Sequence, residues 1–320
     1  MRTSKLLLLA LLLSVFAIPA MAQLNDTYVI PAASNQRGAF GAHWMTRFSI
    51  FNPHLDYPLF VSITLIRTNG LQGEELLVEL PPNALAYSDN LLDELFEIEG
   101  GGALLVATFA EDNPGVPDDI LSRSFLVTSD TYNNSPIGTY GQTIPGVWAG
   151  LLDYDDDPIS SVAHGIRNGG NYRTNIGAVN LGRCNATLYV NVYDANGNTI
   201  KSQIPMVLPP LGHFQQLLPE AVSNGSVEFF VDDPCSADDD RFAVVFPYTS
   251  TIDRRTNDPA YQQPTLLANP NILFAKGQRV DPTALGKKID SNIARQVRAN
   301  VTRRGMAKLT RTDEGWQITK

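Results

Sequence analysis

The sequence predicts an all-β protein, two tandem antiparallel β-sandwiches followed by a short α-helical and hairpin tail, and three observations carry that expectation. The first is an internal repeat. Thr46-Arg47-Phe48-Ser49-Ile50-Phe51-Asn52 aligns with Thr174-Asn175-Ile176-Gly177-Ala178-Val179-Asn180, an offset of 128 residues. The second is an Asn-Gly pair behind an alternating run in each copy: Asn69-Gly70 after Val61 to Ile66, and Asn196-Gly197 after Leu188 to Tyr193. Asn-Gly accepts the two positive φ angles of a type I′ turn, so each copy is expected to hold a tight hairpin. The third is Leu-Pro-Pro at 80–82 and again at 208–210. Proline donates nothing to a ladder and restricts the residue before it, so this element ends the return strand.

Taken in order, the chain opens with an export signal. Arg2 and Lys5 precede an apolar stretch from Leu6 to Ile18, and Ala20-Met21-Ala22 offers the small-x-small pattern of a cleavage site. A signal peptide over 1–22 and a mature chain from Gln23 are expected, with an uncleaved anchor as the alternative. The stretch is shorter than the roughly 20 residues of a membrane-spanning helix, and no later segment approaches that length.

The first sandwich is placed at 24–145 and the second at 146–272. Further anchors keep their order: Leu91-Leu92 with Leu217-Leu218, Gly102 with Gly225, Thr128-Ser129 with Thr249-Ser250, and Tyr140 with Tyr261. A glycine-led apolar strand is expected at Ala103 to Phe109 and at Val227 to Val231. An acidic loop follows each, then a closing strand, Ser124 to Thr128 or Phe242 to Tyr248. Residues 174–180, the Asn-Gly hairpins, the Leu-Pro-Pro elements and Arg255-Thr256-Asn257-Asp258-Pro259 resemble Ig-like or fibronectin-like β-sandwich repeats of secreted bacterial surface proteins. The resemblance covers Asp26 to Leu267 and implies a structural or adhesive part outside the cell.

Charge divides the chain. Residues 23–274 hold 11 Lys and Arg against 29 Asp and Glu, a formal −18, while 275–320 hold 11 against 4, or +7. In that basic tail Leu285, Ile289, Ile293, Val297 and Val301 recur every four residues, with Asp281-Pro282 as a helix start and Gly305 as a stop. A hairpin around Asp313-Glu314 joins Ala307 to Thr312 with Gly315 to Lys320. One reading lays the helix on a sandwich with its basic face toward the acidic body. The other makes Ala275 to Lys320 a detachable docking segment for an acidic protein, a cell-envelope polysaccharide or another anionic surface. Nucleic acid is excluded as a partner, because the acidic body repels phosphates.

Candidate sites are few. Cys184 and Cys235 are read as a disulfide, in keeping with an oxidising compartment, against two free buried thiols. Asp153, Asp155, Asp156 and Asp157 at the junction form a candidate calcium site, against simple solvation of a loop. Glu111, Asp112, Asp118 and Asp119, and Asp232, Asp233, Asp238, Asp239 and Asp240, make weaker clusters. No other cofactor is expected. His43, His54, His164 and His213 lack metal-helix spacing, and no nucleophile-elbow or phosphate-loop motif occurs. Trp44, Trp148, Tyr140, Tyr172 and Tyr261 are candidate sugar-stacking rings. Trp148 alone lacks a counterpart in the other copy and is the leading ligand candidate. The expected function is that of a secreted, non-enzymatic structural or adhesive spacer. A carbohydrate-binding module is the alternative, and a glycoside hydrolase with paired carboxylates is a third reading.

Overall fold

The computed structural model describes residues 25–38, 41–135, 138–150, 160–232, 243–267, 287–289 and 291–320. The expected signal peptide, the Asp153 to Asp157 cluster and Cys235 lie outside the described residues.

The protein is all-β. The first half consists of β1 (Thr27–Arg37), β2 (His43–Phe51), β3 (Leu59–Arg67), β4 (Glu74–Leu80), β5 (Leu85–Ser88), a one-turn helix α1 (Leu91–Glu94), β6 (Gly100–Thr108), β7 (Leu126–Ser135) and β8 (Gly138–Thr143). One face runs β4-β3-β6-β1 and the other β5-β2-β7-β8, joined where the end of β1 pairs with the start of β2. After the short β9 (Ala149–Gly150), the same order is built again. Its strands are β10 (Ser160–Asn168), β11 (Tyr172–Asn180), β12 (Ala186–Tyr193), β13 (Thr199–Leu208), β14 (Gly212–Leu217), β15 (Val222–Asp232), β16 (Val245–Asp253), β17 (Asp258–Gln262) and an added edge strand β18 (Thr265–Leu267). The two sheets are β13-β12-β15-β10-β18 and β14-β11-β16-β17. Every pairing between β10 and β17 thus has its counterpart between β1 and β8.

Part of this order is shared with the immunoglobulin sandwich. With β1, β2, β6, β7 and β8 in the places of its B, C, E, F and G strands, the B–E, C–F and F–G pairings are all present. The strands between differ. β3 and β4 extend the B–E sheet before β5 crosses back to flank β2, so the order is not that of an Ig domain.

Local chemistry explains the turns. Asn69 and Gly70 have φ of 55° and 67°, and Leu71 N donates to Thr68 O at 3.2 Å, the expected type I′ turn. The second hairpin departs from that expectation. Only Gly197 has positive φ there, and Asp194 Oδ1 accepts from the Asn196 and Asn198 amides, both at 2.8 Å, so a carboxylate organises a wider loop. The glycine anchors have one cause. A Cβ on Gly102 would stand 2.5 Å from Ile66 O, and one on Gly225 would stand 1.9 Å from Tyr193 O, at the matching strand end.

Register also corrects the repeat in its last third. Thr131 lies opposite Thr46 and Thr251 opposite Thr174, an offset of 120, so Ser129 corresponds to Thr249 and not to Ser250. Tyr140 lies opposite Asn133 while Tyr261 lies opposite Ser250, so those two rings are not equivalent.

Each half closes a core between its sheets. Phe48, Ile63, Val78, Leu104 and Phe125 are among the buried residues of the first, and Ile176, Leu188, Val190, Val227 and Phe229 of the second. A third apolar cluster lies between the halves: Val29, Ala103, Leu105 and Ala107 with Val179, Val244 and Phe246. This explains a difference between equivalent strands. β15 alternates buried and half-buried positions from Gly225 to Val231, whereas its counterpart β6 is buried on both faces from Gly102 onward.

The tail is part of the fold. The apolar stripe continues over a shorter helix than expected, α2 (Ser291–Arg298), after β19 (Lys287–Lys288), which pairs with β9. Ile289, Ile293, Ala294 and Val297 complete the third cluster. Gly305 does not stop the helix but lies inside β20 (Thr302–Met306), which runs parallel to β4. The hairpin of β21 (Lys308–Thr312) and β22 (Gly315–Thr319) forms where expected, and β22 runs parallel to β5. The β4 and β5 edges of the first half are therefore covered, and Ala307 and Ile318 enter its core. The basic side chains face the body's own acids. Glu75, only 2 % exposed, is met by Arg298 Nε at 2.6 Å, Arg303 Nε at 3.1 Å and the Ser62 hydroxyl at 2.8 Å. Arg298 also pairs with Asp112 and lies 4.4 Å from the centre of the Phe109 ring. A segment so committed to the chain's own first half is not a detachable docking arm; burial of Arg298 against Glu75 and Phe109 overrides the partner reading.

Candidate functional site

Between the halves lies a cavity of about 560 Å³, walled by β1, β2 and β8 on one side and β11, β14 and β16 on the other. Its floor arises from a local exchange within the repeat. In the first half Ser49 lies opposite Thr128, with their hydroxyls 2.6 Å apart. At the same register of the second half stand Gly177 and Tyr248. A Cβ on Gly177 would come within 2.3 Å of the Tyr248 ring, so the glycine lets that phenol lie flat across β11. The Tyr248 hydroxyl then donates to Gln215 Oε1 at 2.9 Å and lies 2.8 Å from His213 Nε2.

With the phenol proton directed to Gln215, His213 Nε2 carries the proton that reaches the phenol oxygen. His213 Nδ1 is left as an acceptor, buried and without a hydrogen-bond partner. Burial lowers the His213 pKa to about 4, so the imidazole is neutral near pH 7, and the same burial pushes the Tyr248 phenol well up. His213 stacks on Tyr248 with ring centres 6.0 Å apart, and Tyr248 stacks on Tyr261 at 5.8 Å.

From the first half the wall receives Trp44, with its indole packed on Gly38, and Gln142, whose Oε1 accepts from the Ser250 hydroxyl across the junction at 3.0 Å. Asn69 and Asn175 add amides, and Arg37 and Arg173 add guanidinium groups. No Asp or Glu is among the described lining residues. Burial, with the like charge of Arg254, lowers the Arg173 pKa, and its Nε is a buried donor without a partner. The arrangement offers amide donors and acceptors and cationic donors, with the largely buried rings of Trp44 and Tyr248 in the wall behind them. Among the described lining residues no two carboxylates are paired.

The sequence candidates are distributed unevenly. Trp44 lines this cavity, while its counterpart Tyr172 lines a second one of about 490 Å³ with Tyr261, Asp253 and Asp258. Arg167 lies 5.3 Å over the Tyr172 ring, and Arg255 holds the Asp253 carboxyl down to about 2. Tyr140 lies on β8 and is in neither wall. Trp148 sits beside β9, where its carbonyl accepts from Ile289 N at 2.9 Å; it is not among the residues of either cavity. His43 bonds Asn35 and His54 bonds Tyr57, so neither is grouped with a second candidate. No group of three or more His, Cys, Asp or Glu side chains able to hold a metal occurs among the described residues. Cys184 is buried, and no free cysteine occurs among the described residues. Tyr248, Gln215, Gln142 and Arg173 were not singled out from sequence. The signal that would have found the first is the exchange of a Ser–Thr pair for Gly–Tyr within an otherwise repeated register.

No known protein family and no curated protein matches the chain. Among solved structures, it is 10 % identical to a lectin of Pleurotus ostreatus in its apo form, over 83 % of this chain and 90 % of that one, with a TM-score of 0.21. The complex of a lectin from the same source with GalNAc is 8 % identical over 83 % of this chain and 91 % of that one, with a TM-score of 0.22. The Streptomyces avermitilis α-L-rhamnosidase complexed with L-rhamnose is 9 % identical over 78 % of this chain and 29 % of that one, also at 0.22. Similarities this remote carry no argument about either fold or function. Among the described residues no helix is long and apolar enough to cross a membrane.

Proposed function

We propose that this is an exported, non-enzymatic binding protein whose two sandwiches form one stiff body and hold a saccharide in the cavity between them. One observation carries the reading: a cavity of about 560 Å³ whose walls combine Trp44 and Tyr248 with Gln142, Gln215, Asn69 and Asn175. Sugars present an apolar ring face and a rim of hydroxyls, which aromatic faces and side-chain amides match. The volume lies in the range of small-ligand sites. A described lining without Asp or Glu counts against glycosidase chemistry there.

The apolar cluster shared by both halves and the tail supports the spacer role as well, since it resists hinge motion between the sandwiches. We also propose that Cys184 bridges Cys235, that calcium binds Asp153 to Asp157, and that export follows from the segment 1–22. A glycan array probed with the mature chain tests the binding reading. Retention of defined saccharides, lost in Trp44→Ala and in Gln142→Ala but kept in Trp148→Ala, is expected. An array with no retained saccharide, or retention indifferent to the first two substitutions, would overturn it.

A further inference from the structure

We infer that the cavity selects an anionic saccharide, one carrying a carboxylate or a sulfate ester, with Arg173 and Arg37 as the groups that recognise the charge. This rests on the binding reading above and adds the ligand's chemical class.

The chain carries a formal net charge of −9, yet the described lining of this junction cavity holds two arginines and no acid. Elsewhere Arg47 pairs with Asp89, Arg123 with Asp118, Arg255 with Asp253, and Arg298, Arg303 and Arg304 with Glu75 and Glu74, while Arg67, Arg167, Arg183, Arg254 and Arg311 form no ion pair among the described residues, so what distinguishes the cavity arginines is their place in a described lining without an acid. Arg173 and Arg37 form no ion pair among the described residues. Arg173 is moreover desolvated and set near Arg254, a like charge, and its buried Nε has no acceptor. A guanidinium stays charged in these surroundings, so the arrangement costs stability until an anion enters. The planar fork of donors matches the two oxygens of a carboxylate or sulfate.

His213 supplies the complementary preference. It is 4 % exposed and neutral near pH 7, and its Nδ1 is an acceptor without a partner. A neutral acceptor suits a hydroxyl donor rather than a second anion. Cationic donors and a neutral acceptor in one wall fit a molecule bearing both an acidic group and hydroxyls.

Isothermal titration of the mature chain with a uronate oligosaccharide, a sulfated oligosaccharide and the matched neutral oligosaccharide tests this. The expected result is binding of one or both acidic ligands, weakening as salt rises, and falling about tenfold or more in Arg173→Gln through loss of a charged hydrogen bond. Which acidic ligand binds separates carboxylate from sulfate. Equal or preferential binding of the neutral ligand overturns the anion inference and leaves the saccharide reading standing; no binding of any of the three overturns both. Arg37→Gln provides a second variant, and acidic-ligand binding unchanged in both variants also overturns the inference.

Discussion

Asn52 and Asn180 do the same work in the two halves. Asn52 Nδ2 donates to the carbonyls of Tyr57, Leu80 and Pro81, and its Oδ1 accepts from His54 N. Asn180 Nδ2 donates to Cys184, Leu208 and Pro209, and its Oδ1 accepts from Gly182 N. Both are 0 % exposed. Each amide ties the end of β2 or β11 to the Leu-Pro segment that ends β4 or β13. The prolines that follow interrupt the ladder there, and the amide supplies a hydrogen-bond partner where the strand ends. Asn52→Ala and Asn180→Ala should each cost about 2–4 kcal/mol, since several buried polar groups lose their partners at once. Urea unfolding followed by tryptophan fluorescence measures both; a loss under about 1 kcal/mol in either would show that water replaces the amide there.

The tail should be inseparable from the first half. Ending the chain at residue 286 removes α2, Ala307 and Ile318 and uncovers the β4 and β5 edges. Faster hydrogen exchange is expected in β4 and β5, with β12 and β13 little changed. The single change Arg298→Ala leaves the buried Glu75 with the exposed Arg303 and the Ser62 hydroxyl to meet it, at a cost of about 3 kcal/mol. Combining Glu75→Gln with Arg298→Met should recover part of that loss, because the buried Glu75 charge goes with its partner, although Asp112 loses an ion pair.

What was legible in the sequence was what local chemistry decides. Thr46 to Asn52 and Thr174 to Asn180 carry a buried threonine and a buried asparagine at fixed spacing, and both sets take the same places in their sheets. Leu80 and Leu208 end their strands for the reason proline imposes. The sequence misaligns the closing strands by one residue because the dipeptides Thr128-Ser129 and Thr249-Ser250 match at an offset of 121 while the ladders set 120, and a one-residue slip in a strand reverses which face each side chain takes. The tail helix was overextended because a four-residue apolar period does not say whether Gly305 and Val301 stay on a helix or join a sheet edge; the edge of β4 decided it. The cavity was illegible because its walls come from segments as distant as Trp44 and Tyr248, and no local pattern encodes a contact between two folded halves.

A Cys184–Cys235 disulfide has a specific consequence. Cys184 is 2 % exposed and its carbonyl anchors Asn180, so it sits at a fixed point of the second half. A bridge to Cys235 closes a loop of about 50 residues, worth about 4 kcal/mol in the chain-entropy account. Non-reducing peptide mapping should recover the 184–235 pair, and reduction should lower the melting temperature of the second half. Quantitative alkylation of both thiols in the native exported protein would refute the pairing.

His213 makes stability depend on pH in a defined window. Its pKa is about 4 in the folded protein, lowered by burial from 6.5. Between those values the unfolded chain binds a proton that the folded protein refuses, so protonation pulls the equilibrium toward the unfolded state. The contribution of neutral His213 is therefore complete above pH 6.5 and is lost as pH falls toward 4. A drop from 6.5 to about 4 corresponds to about 3 kcal/mol. Denaturation midpoints measured from pH 7 to pH 4 should fall accordingly. His213→Gln should start lower, because Tyr248 loses its imidazole partner, and should follow a flatter curve over the same window. Parallel curves for the two proteins would mean that other groups, such as the paired carboxylates, carry the acid sensitivity.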